Sequence, residues 1–137
     1  MTLDKELEIV FPAQMESLSE VENLIDSLHA EGALPEEVYG NILIASTEAT
    51  LNAIMHGSLS DSSKTISVRL TQDAREVVIT IADEGDGFDF ESLPDPTAPE
   101  NLEKVSGRGI YIMRNLADKT EFEHQGSSVK MTFNLPN

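Results

Sequence analysis

Glu48, Asn52 and His56 follow one another at intervals of four residues in the segment STEATLNAIMHG. At about 100° per residue, this spacing places them on one face of an α-helix, together with Asn41. The groups on this stripe accept protons or hydrogen bonds, which makes it a candidate binding or catalytic site. Because the rest of the helix is largely apolar, we expect the helix to be buried, where polar groups are costly unless satisfied. Alternatively, the stripe is simply the solvent face, with His56 interacting with the helix dipole.

The segment TIADEGDGFDF contains a cluster of acidic residues and glycines: Asp83, Glu84, Gly85, Asp86, Gly87 and Asp89. A calcium loop needs oxygen ligands at alternating positions and a glutamate at the twelfth, whereas counting from Asp83 gives glycines at the third and fifth positions and Pro94 at the twelfth. The calcium interpretation therefore fails. A plain hairpin turn and one wall of a nucleotide pocket both remain possible, and in either case Glu84, Asp86 and Asp89 are expected to be solvated.

The segment SGRGIYIMRN places Gly107 and Gly109 where a loop becomes a helix. Glycines there let backbone N–H groups approach an anion, and the helix dipole favours negative charge. Lys104, Arg108 and Arg114 concentrate positive charge here, in a chain with only nine Lys and Arg. The third glycine of a dinucleotide-binding fingerprint is missing and there is no Walker A motif, so phosphate binding rests on the local charge more than on the glycines.

Periodicity predicts a β-α-α-β-β-loop-α-β-β order of elements. The helices are predicted at 14–31, 35–57 and 107–118, and the strands at 7–13, 64–73, 75–85, 119–126 and 127–136. Between them, residues 89–106 are broken by three prolines and show no clear periodicity. This order predicts an α+β fold: a two-layer α/β sandwich whose mixed, mostly antiparallel sheet is covered on one face by helices, in a single domain of residues 1–137.

Composition narrows the class of protein. The formal net charge of −16 argues against non-specific binding to nucleic acid or to an anionic membrane. The absence of cysteine excludes disulfides, zinc–thiolate sites and thiol nucleophiles. The N-terminal segment lacks the features of a signal peptide, and no apolar run approaches the ~20 residues of a membrane-spanning helix, so we expect a cytoplasmic location.

The segments EATLNAIMHG, DEGDGFD, SGRGIYIM and GSSVKMTFNLP, in this order, resemble the Bergerat-fold (GHKL) ATP-binding superfamily. That superfamily includes gyrase B subunits, heat-shock chaperones, sensor histidine kinases and MutL proteins. The resemblance covers about residues 8–136. Within the superfamily, the chain is most similar to the bacterial anti-sigma factor serine/threonine kinases, which consist of the ATP-binding domain alone.

The resemblance implies roles for four residues of the first, second and fourth motifs. Asn52 matches the asparagine that ligates Mg²⁺, and Glu48 matches the general base. Asp83 matches the aspartate that accepts a hydrogen bond from the adenine amino group. Ser127 matches a position, usually threonine in relatives, that contacts adenine and the water beside the aspartate.

The resemblance also implies how the loops would act. Gly85 and Gly87 would give the backbone room beside the base, and Gly107 and Gly109 would bind the phosphates. Residues 90–106 match the ATP lid. Lys104 and Arg108 would then stabilise the transferring phosphoryl group, with Arg108 also contacting the nucleotide.

The implied activity is that of an ATP- and Mg²⁺-dependent serine/threonine kinase that phosphorylates an anti-sigma factor antagonist, a small STAS-type protein, and regulates transcription by partner switching with a sigma factor. A homodimer is a further implied state. One position departs from the family pattern: these kinases have an arginine two residues before the first lid glycine, where this chain has Val105. The alternative is therefore a nucleotide-binding regulatory module that docks on a partner without phosphotransfer.

Overall fold

The computed structural model describes residues 5–57, 63–84, 105–123 and 127–136. Three helices and five strands follow one another in the predicted order. The elements are β1 (Lys5–Pro12), α1 (Glu16–Ala30), α2 (Glu36–Asn52), a π-helical turn (Ala53–Gly57), β2 (Thr65–Gln72), β3 (Glu76–Asp83), α3 (Val105–Leu116), β4 (Lys119–Glu123) and β5 (Ser128–Asn134).

The five strands form one sheet in the order β1-β2-β3-β5-β4. Each neighbouring pair is antiparallel. The predicted α+β class is therefore confirmed, but the sheet is not mixed: none of the pairings among the described strands is parallel. The reason is the path of the chain, because β5 returns beside β3 from the hairpin with β4 and so runs against it.

One face of the sheet is apolar and contributes to the core. Alternate residues of β2 are fully buried, whereas those between them are exposed or half-buried, as expected for a strand with one face towards water. The same core contains Ile25 of α1, Ile42 of α2 and Met113 of α3. Each fully buried aliphatic side chain contributes about 1.5–3 kcal/mol. The helices thus pack as the second layer on one side of the sheet.

The junction between α1 and α2 fixes where α2 begins. Gly32 has a φ of 84°, a left-handed conformation that ends α1 and that glycine adopts readily. His29 stacks on Tyr39 with ring centroids 3.9 Å apart, and its Nε2 lies 2.6 Å from Oε2 of Glu36. These contacts hold the end of α1 against the first turn of α2.

The ends of α2 and α3 differ from the predictions. The predicted helix 35–57 is α-helical only from Glu36 to Asn52 and continues as the π-helical turn Ala53–Gly57. Helix α3 begins at Val105, so the last two residues of the predicted lid belong to the helix. Among the described residues, none of the helices combines the length and apolarity needed to cross a membrane.

Candidate functional site

A narrow cleft lies between α2, α3 and the apolar face of the sheet. Its polar side chains are Asn52, Asp83 and Ser127. The rest of its lining is apolar: Ala49, Ala53, Ile81, Ile110, Met113, Phe122 and Val129. A concave, mostly apolar cleft with a few polar groups is the usual form of a small-molecule site.

Glu48 and Asn52 lie one turn apart on α2 and face α3 where Gly109 passes closest. A Cβ atom added to Gly109 would lie 3.1 Å from Oε2 of Glu48 and 3.1 Å from Nδ2 of Asn52. Only a glycine lets the helix backbone approach the two polar groups this closely. The structure therefore brings together three predicted site residues from two distant segments of the sequence.

Burial decides between the two interpretations of the polar stripe on α2. Asn52 is only 5% exposed and Glu48 is half-buried, whereas Asn41 is exposed. The stripe is therefore a solvent face at its N-terminal end and part of the cleft region at its C-terminal end. Nothing is described of the side chain of His56.

The amide of Asn52 has an unsatisfied donor. Its Nδ2 is buried and has no hydrogen-bond partner among the residues that the structure describes. A buried donor left unpaired costs about 1–3 kcal/mol, so such a group is expected to meet a polar ligand. Since a half-turn of the amide exchanges its nitrogen and oxygen, Asn52 can present either a donor or an acceptor at this point.

Asp83, the last residue of β3, lies beside Ser127, which immediately precedes β5. The backbone N–H of Asp83 donates to the carbonyl oxygen of Ser127 at 2.9 Å, and both side chains are half-buried. Glu84, expected to be solvated, is exposed, but its Oε1 accepts a hydrogen bond of 2.7 Å from the backbone N–H of Thr65. Glu84 therefore joins β3 to the start of β2, while Asp83 faces the cleft.

Several predicted site residues cannot be placed. Gly85, Gly87 and Lys104 lie outside the described residues, as does the predicted lid up to residue 104. Gly107 and Arg108 lie in the first turn of α3, where backbone N–H groups have no partner within the helix, but the side chain of Arg108 is not described. Gly109 lies one residue beyond that first turn. It differs from Gly107 and Arg108 in its close approach to Glu48 and Asn52 of α2.

Sequence reasoning missed the apolar lining of the cleft. Ile81, Ile110, Met113, Phe122 and Val129 were interpreted only as parts of strands and a helix. Their alternation or helical spacing predicts burial, but it does not distinguish a core position from a cleft wall. The aromatic residue in the short edge strand KTEFE was the one available signal.

Comparison with known proteins agrees with this arrangement. The profile of the family described as "Histidine kinase-like ATPase domain" matches residues 11–133. The chain is 27% identical over 133 residues to the protein named serine-protein kinase RsbW of Bacillus subtilis, covering 92% of this chain and 83% of that protein. It is 24% identical to the protein of the same name from Staphylococcus aureus strain JH9, covering 92% and 84% respectively.

A solved structure shares the fold. The crystal structure of the RsbU and RsbW domains of a Mycobacterium tuberculosis protein matches 95% of this chain and 32% of its own, with a TM-score of 0.58 and 18% identity. This similarity concerns the fold alone. Together, the profile match over most of the chain, the antiparallel sheet covered by three helices and the cleft between α2 and α3 show that this chain belongs to the histidine kinase-like ATPase domain family.

Proposed function

We propose that this chain is an ATP-dependent serine/threonine protein kinase whose acceptor is a small partner protein. One observation carries the proposal: Glu48 and the buried amide of Asn52 converge on Gly109 beside a cleft in a chain of an ATPase family. The relatives named serine-protein kinase support the choice of serine or threonine as the acceptor. The proposal treats residues 1–137 as one domain.

The adenine end of the site is assigned to Asp83 and Ser127. The carboxylate of Asp83 would accept a hydrogen bond from the exocyclic amino group of adenine, and Ser127 would contact the base beside it. Their position, at the last residue of β3 and immediately before β5, supports this assignment, because rigid elements orient a ligand more accurately than loops do. Gly85 and Gly87 would leave room for the base next to Asp83.

The phosphate end is assigned to the facing turns of α2 and α3. Gly107, Arg108 and Gly109 would lie against the phosphates at the helix N-terminus, which attracts anions. Lys104 would add a second cation. The surplus negative charge of the chain does not oppose this, because local N–H groups and one or two cations determine the potential at the phosphates.

The residues of α2 fit a magnesium ion. The described residues contain no cluster of three or more acidic, His or Cys side chains that could hold a metal by themselves. Mg²⁺ is typically bound through one or two protein oxygens together with substrate phosphates, and the buried amide of Asn52 offers one such oxygen. When bound there, the ion would neutralise charge on the phosphates.

Glu48 is assigned as the general base of the transfer. Its carboxylate would take the proton of the acceptor hydroxyl while the hydroxyl oxygen forms a bond to the γ-phosphorus and the bond from that phosphorus to the β–γ bridging oxygen breaks, releasing ADP. Lys104 and Arg108 would stabilise the charge on the transferring group. Asn52, one turn away, would keep the reacting end of the nucleotide next to Glu48.

The proposed acceptor is an anti-sigma factor antagonist of the STAS type, and the proposed second partner is a sigma factor, bound in alternation. A homodimer is part of the same proposal, and neither nucleic acid nor a membrane is a proposed partner. The net charge of −16 suits a protein that docks on basic surfaces of partners.

Transfer from γ-labelled ATP to candidate antagonist proteins of the source organism tests the kinase function. We expect Glu48→Gln to lower phosphotransfer by at least a hundredfold, because a general base contributes about 10²–10⁴-fold. Binding of Mg²⁺-ATP should remain, since Glu48 acts on the acceptor. Glu37→Gln, an exposed carboxylate in the first turn of the same helix, is the matched control and should keep full activity. Full transfer by Glu48→Gln would refute the assignment of the base.

A second candidate function is nucleotide-dependent docking without phosphotransfer. Val105 favours it, because valine cannot replace an arginine that forks onto a terminal phosphate. In that case, calorimetry would detect ATP binding, and none of the candidate antagonists would be phosphorylated.

A further inference from the structure

The apolar floor of the cleft ends at an aromatic residue. Phe122 of β4 lies opposite Val129 of β5, and Val129 lies opposite Ile81 of β3. All three residues line the cleft. Because β4 is an edge strand, Phe122 is the last residue of this row before the sheet ends.

Asp83 lies at the other end of the same floor. It follows Ile81 by two residues on β3, so both lie on the same face of the sheet. Since β5 separates β3 from β4, Asp83 and Phe122 are two strand spacings apart, about 10 Å across the sheet, and are also offset by two residues, about 7 Å, along the strands. A purine whose amino group reaches Asp83 therefore extends over Val129 towards Phe122, a step that rests on the proposed function.

The guanidinium of Arg114 lies over the ring of Phe122. Its guanidinium carbon lies 5.5 Å from the ring centroid, within the about 6 Å range of a cation–π contact. Arg114 is exposed and, among the described residues, forms no ion pair with a carboxylate. The contact joins the last turn of α3 to β4 and restrains a ring that is only half-buried on an edge strand.

We propose that Phe122 is a base-contacting residue of the nucleotide site and that Arg114 is its positioning residue. Asp83 reads one polar edge of the base, while the ring of Phe122 provides flat apolar surface for the remainder. Asp83 would therefore determine which base is preferred. Phe122 would contribute to the affinity for any purine. The cation–π contact with Arg114 keeps the ring in place when the cleft is empty.

Binding to Mg²⁺-ATP and to Mg²⁺-tripolyphosphate, which lacks the base, tests the role of Phe122. We expect Phe122→Ala to weaken ATP binding about tenfold to a hundredfold, the usual effect of removing one base–aromatic contact, and to leave tripolyphosphate binding within twofold of wild type. Phe122→Tyr keeps the ring and should bind ATP like wild type. Phe122→Leu keeps an apolar side chain that preserves folding, and should still lose at least threefold.

Arg114 is tested by comparing ATP with adenosine. Arg114→Ala should weaken both ligands by the same factor, about threefold, because it acts through the ring, and Arg114→Lys should restore binding. An effect on ATP alone would show that Arg114 contacts phosphate and would overturn its positioning role. Arg75→Ala removes an exposed cation from the turn before β3 and is the charge-matched control, which should bind like wild type.

The outcomes distinguish a failure of this inference from a failure of the proposed function. Unchanged ATP binding by Phe122→Ala and Phe122→Leu would overturn the inference, as would an equal loss of ATP and tripolyphosphate binding. A wild-type chain that binds no nucleotide would refute the proposed function itself, before any variant is compared.

Discussion

At the scale of the residue, two helical glycines differ in the space that surrounds them. Gly40 in α2 and Gly109 in α3 both lie inside helices, where glycine normally costs stability. A Cβ atom on Gly40 would meet no atom within 4 Å, whereas one on Gly109 would press on Glu48 and Asn52. A side chain at Gly40 therefore has room, whereas a side chain at Gly109 would displace the two polar groups of α2.

We therefore expect alanine to impair phosphotransfer at Gly109 and to increase stability at Gly40. Gly109→Ala should lower phosphotransfer about tenfold, because the carboxylate and the amide must move by a few tenths of an ångström to accommodate the methyl group. Gly40→Ala should raise the free energy of unfolding by about 0.5–1 kcal/mol without changing activity. Urea unfolding and a phosphotransfer assay on both variants check this. Equal activity of the two variants would contradict a role for the close approach.

The polar residues of the site were predictable, but their environment was not. The spacing of Glu48 and Asn52 indicated a shared face, and the apolar remainder of the helix indicated burial. The clearance at Gly109 depends on how α3 crosses α2, which local patterns do not encode. The unpaired Nδ2 of Asn52 likewise depends on how the neighbouring elements pack around it, which the sequence pattern does not show.

At the scale of the element, a single aspartate organises the β2–β3 hairpin. Oδ1 of Asp73 accepts hydrogen bonds from the backbone N–H groups of Arg75 at 2.8 Å and Glu76 at 3.0 Å. These bonds, from Arg75 first and then Glu76, lower the pKa of Asp73 below its usual value. The predicted turn around DAR therefore has a specific cause, an aspartate that satisfies the backbone of its own loop.

This lowered pKa predicts a pH dependence of stability. The folded chain binds the proton of Asp73 less tightly than the unfolded chain, so its stabilising contribution is present above the unfolded pKa of about 4 and is lost as the pH falls through the folded value. Asp73→Ala should unfold at lower urea concentration than wild type at pH 7, and the gap should narrow below about pH 4. Asp73→Asn, which keeps an acceptor without a titrating charge, is the control. A gap that stays constant from pH 7 to pH 3 would contradict the assignment.

Element types followed from periodicity, whereas some ends did not. The strand alternation of TISVRLTQ and the helical spacing of α1 gave elements correct to within two residues. The start of α3 was placed two residues late, because Gly107 resembles the end of a loop more than the interior of a first turn. The π-helical turn after Asn52 has no sequence pattern that distinguishes it from an α-helix.

At the scale of the whole molecule, the proposed nucleotide site in the cleft would link ligand binding to the free energy of unfolding. It is bounded by α2, α3, β3, β4 and β5, so a bound nucleotide would contact elements from most of the chain. The pairing of β3 with β5 brings these segments together, and the sequence did not predict that strand order. Ligands that bind only the folded state stabilise it by mass action.

Mg²⁺-ATP at 100 times its dissociation constant should therefore add about 2.7 kcal/mol to the free energy of unfolding. For a chain of this size, that corresponds to a rise in melting temperature of about 10 °C. Asp83→Asn should lose most of the shift, because its amide replaces one acceptor oxygen with a donor. Thermal melts with and without nucleotide check this, and an unchanged melting temperature for wild type would indicate a cleft that no longer binds nucleotide.

The positions of β1 and β4 at the two edges of the sheet have a consequence for solubility. Edge strands present unpaired backbone groups that can recruit another chain and start aggregation. Here Glu8 of β1 and Glu123 of β4 are exposed, whereas Glu6 lies 3.2 Å from Arg69 and Glu121 lies 3.8 Å from Lys119. Two copies meeting edge to edge would place like charges against one another. Acidic residues on the two edge strands thus oppose the pairing of this five-stranded sheet with a strand of another copy.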